Sequence, residues 1–317
     1  MNLETGEKAS VRKISRFRDV IIGQNTESRS LRIFTRTEND EFVIRNVRFD
    51  GSLEKVTSIP CFAALHLETY TCNMLGLAVS EDASRIAYYD EATKDLRLYN
   101  LKDHSQDVLL TNAIPSFRSI RLLEWSSTNH LVVCIYDQSM ASARCLMLEV
   151  GNKSPVFDFH PLNCVYAVLS PDGRYLAYGV NLREKQPQQY RIYDTQLRCD
   201  IRTLPMSDRL VSGPFLWTGR SDGLFYTERN RLMLYSLALD QAVCLREYTL
   251  GLRVHPKASS RSKVFYTVKP YGKSRPTRGL FAYDIDQQKE LRVEQIKNNA
   301  ELFASPDGKF LITGWGL

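Results

Sequence analysis

The stretch "LSPDGRYLAYG", residues 169–179, reads as two short strands around a tight turn, and a near copy, "ASPDGKFLITG", occupies residues 304–314. Ser170 and Ser305 stand 135 residues apart (305 − 170), which is three intervals of 45. That spacing asks whether one hairpin is used twice or belongs to a longer series. Within the turn, Pro171 presets φ, Asp172 hydrogen-bonds nearby backbone and Gly173 tolerates positive φ. These are local needs of a strand–turn–strand unit, so the motif is structural rather than catalytic.

The series is longer. A short apolar strand, a polar turn and an aromatic-rich strand recur at 75–89, 121–136, 165–179, 214–227, 253–267 and 301–314. The turns begin near residues 80, 126, 170, 218, 257 and 305, a period of about 40–50 residues. Five of these hairpins are followed by a further strand, as in "DLRLYNL" (95–101), "YRIYDT" (190–195) and "LFAYDI" (280–285). A turn then leads to a short outer strand such as "DVLLT" or "AVCLREY". Even spacing, alternation and polar turns predict four-stranded antiparallel units, with no long segment of helical period. A unit of this size repeated radially is a β-propeller blade. The repeats resemble those of TolB-like and WD-type propellers, whose usual fingerprint includes the S-P-D-G turn. The Gly-His and Trp-Asp dipeptides of WD repeats are absent, which puts the likeness nearer the TolB-like side. The resemblance covers nearly the whole chain and implies a fold, not an activity.

The expected architecture is therefore an all-β propeller forming a single domain over residues 1–317. Six full blades are expected at about 18–60, 73–111, 119–157, 164–205, 211–249 and 252–294. The hairpin at 300–316 starts a seventh, which the N-terminal segment "ASVRKIS" (9–15) completes. Six blades, with the last hairpin joined directly to the first sheet, is the alternative. In both arrangements N- and C-terminal strands pair to close the ring and remove exposed sheet edges. A short helix is allowed only in the linker 61–72.

Composition agrees with a globular chain of 317 residues: 43% hydrophobic and 25% charged, enough for a sizeable core. No apolar run approaches the roughly 20 residues of a membrane-spanning helix, and the polar N-terminus lacks the apolar core of a secretory signal. A cytoplasmic protein is expected. Seven cysteines, none in a C-x-x-C pair, read as buried thiols. The five histidines are scattered, so neither a metal site nor a cofactor is expected.

Several constellations invite catalytic readings and lose to bland ones. "GRSDG" (219–223) fits the G-x-S-x-G nucleophile elbow, but it occupies an inner turn where its siblings carry S-P-D-G. Ser221 is thus read as a turn residue. Similar propellers precede hydrolase domains in the prolyl-oligopeptidase family; with the last hairpin at 300–316, no such domain is expected here and a serine-hydrolase activity is not expected either. Asp82, Asp172, Asp222 and Asp307 fall in equivalent turns and so should stand far apart, unlike the paired carboxylates of a glycosidase. Trp125 and Trp217 should pack between blades. The Tyr-Asp pairs at 193–194 and 283–284 mark strand-end turns.

Charge is the most informative feature. The net charge is +6, and no acidic residue lies between Glu247 and Asp284. That window holds Arg253, Lys257, Arg261, Lys263, Lys269, Lys273, Arg275 and Arg278. A second basic run comprises Lys8, Arg12, Lys13, Arg16 and Arg18. Solvated loops explain both runs blandly; an anion-binding surface is the sharper reading. Long loops after the second strand recur at 136–144, 181–189 and 268–279, on one face of a propeller. These features predict a non-catalytic scaffold binding a protein or peptide through that face and the central-channel mouth. The candidate residues are Lys269, Tyr271, Lys273, Arg275 and Arg278, with Arg183 and Lys185. The alternatives are a lyase or glycoside hydrolase at the channel mouth, and nucleic-acid or other polyanion binding through 253–278 plus 8–18.

Overall fold

The computed structural model describes residues 19–25, 30–36, 41–48, 52–60, 77–80, 84–90, 93–111, 119–125, 129–136, 143–152, 154–160, 164–180, 189–205, 215–270, 279–294, 300–304 and 311–315. These residues form strands throughout, linked by turns. The linker 61–72, with its allowed helix, lies outside the described residues, as does the segment 9–15.

Sheet 1 comprises β1 (Asp19–Asn25), β2 (Ser30–Arg36), β3 (Glu41–Arg48) and β4 (Leu53–Pro60). Sheet 2 holds β5 (Leu77–Val79), β6 (Arg85–Asp90), β7 (Asp95–Asn100) and β8 (Gln106–Leu110). Sheet 3 holds β9 (Ser119–Trp125), β10 (His130–Tyr136), β11 (Ala143–Glu149) and β12 (Phe157–Phe159). Sheet 4 holds β13 (Cys164–Leu169), β14 (Tyr175–Val180), β15 (Gln189–Asp194) and β16 (Cys199–Pro205). Sheet 5 holds β17 (Leu216–Trp217), β18 (Gly223–Glu228), β19 (Arg231–Ser236) and β20 (Gln241–Glu247). Sheet 6 holds β21 (Leu252–Ser259), β22 (Lys263–Pro270), β23 (Gly279–Asp284) and β24 (Lys289–Glu294). A two-stranded sheet 7 follows, β25 (Ala300–Ala304) with β26 (Leu311–Trp315). In each four-stranded sheet the strands neighbour one another in chain order.

The chain divides into two compact units, with the boundary at Cys164 and Val165. In the first, β5 lies beside both β1 and β9; in the second, β21 lies beside both β17 and β25. First strands of successive sheets are therefore neighbours within each unit. The second strands β6, β10, β14, β18 and β22 are buried on both faces, so they read as unbroken apolar runs rather than alternating ones. In β18, Leu224 and Tyr226 pack toward sheet 4, while Phe225 packs toward sheet 6. The outer strands are the opposite: β20 is exposed along nearly its whole length. The core thus lies between sheets, along the first three strands.

Local chemistry repeats with the sheets. A buried hydroxyl ends the first strand at Ser80, Ser170, Thr218 and Ser260. Each accepts the backbone N–H that begins the second strand, from Arg85 (3.0 Å), Tyr175 (2.8 Å), Gly223 (3.2 Å) and Lys263 (3.1 Å). In the S-P-D-G turn, Ser170 Oγ also donates to Asp172 Oδ1 at 2.6 Å; Thr218 Oγ1 donates to Asp222 Oδ1 at 2.6 Å. The turn before the outer strand repeats as well. Its last residue has positive φ without being glycine at Arg198, Asp240 and Gln288, and the last but one does at His104. The residue ending the third strand caps that turn: Asp194 Oδ1 accepts the N–H groups of Gln196 and Leu197, and Asp284 Oδ1 that of Gln287. The Tyr-Asp pairs are thereby structural. Five sheets also share a register shift between the third and fourth strands, as at Ile192/Tyr193 and Leu232/Met233. Such bulges sharpen the twist of each outer strand.

The tryptophans join sheets, as expected from their strand-end positions. Trp125 Nε1 donates to the Ala78 carbonyl at 3.1 Å, and Trp217 Nε1 to the Val168 carbonyl at 3.0 Å. Each bond links the first strand of one sheet to the first strand of the sheet before it. Ser259 Oγ continues the chain by donating to the Trp217 carbonyl at 2.6 Å.

Two expectations are corrected. The sixth repeat turns at residues 260–262, not near 257, because Pro256 stays inside β21 beside a bulge that absorbs Lys257; a bulge is one place where a strand tolerates proline. Not every cysteine is buried: Cys134 and Cys145 are, but Cys199 and Cys244 are exposed, because they fall on the outer strands β16 and β20.

The Trp217→Phe substitution keeps most of the ring but leaves the Val168 carbonyl without its donor. It should cost about 1–3 kcal/mol in urea unfolding, whereas Leu239→Ala, at a side chain 67% exposed, should leave the midpoint unchanged. Equal effects from the two variants would contradict the role given to the indole N–H.

Candidate anion-binding face

The sequence "RVHPK" (253–257) lies in β21, where strand alternation separates its side chains. Leu252, Val254 and Pro256 are buried, and Arg253, His255 and Lys257 between them are half-buried. Register with β22 sets Arg253 opposite Lys269 and His255 opposite Thr267. Directly opposed residues share a sheet face, so Arg253, His255, Thr267 and Lys269 line one side of sheet 6. Lys257 joins them from the bulge.

The electrostatics follow from that placement. Burial pushes the His255 pKa down from 6.5 to about 4, and Lys257, Lys269 and Arg253 push it the same way. The imidazole is therefore neutral near pH 7, in a positive local field. Cations converging on a half-buried neutral ring favour an arriving anion. Opposite His255, the buried Thr267 hydroxyl has no hydrogen-bond partner. Thr227, at the matching position of β18, is in the same condition, so this feature belongs to the repeat and not to the basic face alone.

The eight-cation run does not form one patch. Lys263 lies 4.0 Å from Asp284 at the far end of β22, and Arg261 is exposed in the adjoining turn. Arg253 and Lys269 sit at the other end, where the chain leaves toward residues 271–278. Of the candidate residues, Lys269 is described and takes its place beside His255. Tyr271, Lys273, Arg275 and Arg278 lie outside the described residues, as do Arg183 and Lys185 and the basic run 8–18. His255 was not singled out from sequence. The signal was present in the Arg-x-His-x-Lys alternation, but it required the β21 register to be read.

Ser221 is a turn residue. It has φ of 60°, is buried, and its Oγ accepts the N–H of Asp172 at 3.0 Å from the turn of sheet 4. Asp172 and Asp222 accept hydroxyls within their own turns; Asp82 and Asp307 lie outside the described residues. Among the described residues, no group of three His, Cys, Asp or Glu side chains is placed to hold a metal ion. Among them, too, no helix is long and apolar enough to cross a membrane.

No protein-family model matches the chain, and no curated protein matches it by sequence. Solved structures do match. The Cps50 (Swd1) β-propeller domain of Myceliophteria thermophila aligns with a TM-score of 0.60 at 10% identity, covering 96% of both chains. An oligogalacturonate lyase in complex with manganese aligns at 0.60 and 11% identity, over 94% of this chain and 86% of that one. The Dos1 propeller aligns at 0.56 and 10% identity, over 89% of this chain and 72% of that one. At such identities the likeness shows the fold alone: this chain resembles β-propellers.

His255 has a consequence for stability. Its folded-state pKa lies below the ordinary value, so the unfolded chain takes up the proton first. The fold is unpenalised above pH 6.5 and loses stability as pH falls toward 4. Urea unfolding between pH 7 and 4 should show a loss on the order of 2 kcal/mol in the parent that His255→Gln lacks. Parallel pH profiles for the two proteins would refute this.

Proposed function

We propose that the chain is a non-catalytic binding module that recognises an acidic segment of a protein or peptide. The observation that carries this reading is the convergence of Arg253, Lys257 and Lys269 around His255, at the end of sheet 6 from which residues 271–278 depart. Tyr271, Lys273, Arg275 and Arg278 extend the surface along that connection, and Arg183 and Lys185 contribute from the corresponding connection of sheet 4. Carboxylates suit such a surface because each cation reaches them through directed hydrogen bonds as well as charge. Nucleic acid is the competing ligand class, and salt separates the two: phosphate-dominated binding weakens steeply as counterions compete.

The test uses a labelled polyglutamate 20-mer and a single-stranded DNA 20-mer as probes. The parent should bind polyglutamate more tightly than DNA. Reversing Lys269, Lys273, Arg275 and Arg278 to Glu should weaken polyglutamate binding at least about tenfold in 50 mM salt. A melting curve of the variant checks that it stays folded, because Lys269 is half-buried in β22. Undiminished binding by the variant would overturn the reading; tighter DNA binding with a steep salt slope would replace it with the nucleic-acid one.

The scaffold we propose is a single seven-bladed domain in which sheet 7 is an inner hairpin completed by N-terminal chain. Six four-stranded sheets followed by one two-stranded sheet support it, as does the 96% coverage of a propeller domain. Removing residues 300–317 should then abolish cooperative unfolding, by exposing sheet edges and an apolar sheet face. A truncated chain that stays monomeric and melts at the full-length temperature would refute closure.

A further inference from the structure

Sheet 3 carries a pair of residues that the binding function does not use. Cys134 on β10 and Cys145 on β11 are directly opposite in the antiparallel register. Both are fully buried, no covalent bond joins them, and their Sγ atoms lie 2.7 Å apart. Neighbouring positions fix this juxtaposition: Val133 pairs with Leu146, and Ile135 with Arg144, with no register shift along the whole β10–β11 ladder. Opposed residues of an antiparallel pair have Cα atoms about 4.5–5.5 Å apart, inside the roughly 4.4–6.8 Å that a disulfide spans. Bond formation therefore needs side-chain rotation and no backbone movement.

We infer that Cys134 and Cys145 are a site of reversible oxidative modification, closing a cross-strand disulfide within sheet 3. With a low-molecular-weight disulfide such as oxidised glutathione, one thiolate attacks the reagent and releases one glutathione thiol. The second protein thiolate then attacks the mixed disulfide, forms the Cys134–Cys145 bond and releases the second. Two S–H bonds are lost, one S–S bond forms, and two electrons reduce the glutathione disulfide to two thiols. Burial gives the pair its character. Reagent reaches the sulfurs only when the β10–β11 hairpin opens locally, so reaction is slow, and the product is then shielded from reductant in the closed sheet. The exposed Cys199 and Cys244 contrast with this: reagent reaches them readily, but they sit on the outer strands of different sheets. Glutathione adducts, not an internal bond, are expected there.

The whole chain equilibrated in glutathione buffers of graded redox ratio tests this by intact mass and by peptide mapping after alkylation in denaturant. The expected result is a loss of two hydrogens in the native protein and a cross-linked peptide joining Cys134 to Cys145. The oxidised form should melt several degrees higher, because the bond restricts the unfolded chain. Cys134→Ala and Cys145→Ala, which conserve an apolar side chain, should each abolish the cross-link without creating another internal pair. Full alkylation of both cysteines after exhaustive oxidation of folded protein would overturn the inference, as would a dominant cross-link involving any other cysteine. Because the mapping is done on the parent chain, the result does not depend on either variant folding.

Discussion

A hydroxyl buried at the end of a first strand must find a partner, and the one it finds is the backbone N–H that opens the second strand. This single bond, made by Ser80, Ser170, Thr218 and Ser260, sets the tight turn of four sheets. An unsatisfied polar group in these positions would cost about 1–3 kcal/mol each, so the turns accept few substitutes. Their compactness lets neighbouring turns touch. Ser221 Oγ reaches the Asp172 N–H, Arg85 Nη1 reaches Asn129 Oδ1, and the Gly219 N–H donates to the Ser260 carbonyl at 3.2 Å. At Gly219 a Cβ would stand 2.9 Å from the backbone of Ser260 and Arg261, so only glycine permits that approach. Indole bonds from Trp125 and Trp217 then tie the first strands together behind the turns.

That arrangement distributes burial unequally and so decides where ligand chemistry can sit. The second strands β6, β10, β14, β18 and β22 are packed on both faces, whereas the outer strand β20 is exposed along nearly its whole length. Several polar groups of the sheets are engaged by structure: the Tyr178 hydroxyl donates to Asp200, and the Tyr248 hydroxyl to Glu290. Both tyrosines have their pKa values pushed well above the ordinary range, chiefly by burial. Outer-strand ion pairs such as Arg144–Asp158 and Arg231–Glu247 similarly neutralise charge in pairs. Against that background, the face around His255 differs in kind, because the charges that act on the imidazole are all positive. The same repeat spends its hydroxyls and carboxylates on turns, while the field at the imidazole is set by Arg253, Lys257 and Lys269.

The amino-acid sequence determined the repeat, since each element depends on neighbours a few residues away. The S-P-D-G turns, the aromatic second strands and the capping Asp of the outer turns are all local chemistry, legible in strings of six to ten residues. Ser221 was assignable to a turn for the same reason: position within the repeat outweighed a five-residue motif. Tertiary structure alone decided what depends on register and bulges. The bulge beside Pro256 moved the sixth turn to 260–262 and placed Lys257 next to His255. Pairing of β10 with β11 brought Cys134 to Cys145, eleven residues apart in sequence. Pairing of β22 with β21 and β23 divided the eight-cation run, sending Lys263 to Asp284 and Lys269 to Arg253. The physical reason is the two-residue period of a strand: one residue of slip carries every side chain to the opposite face. Composition counts the charges, but only the closed hydrogen-bond ladder says which of them share a surface.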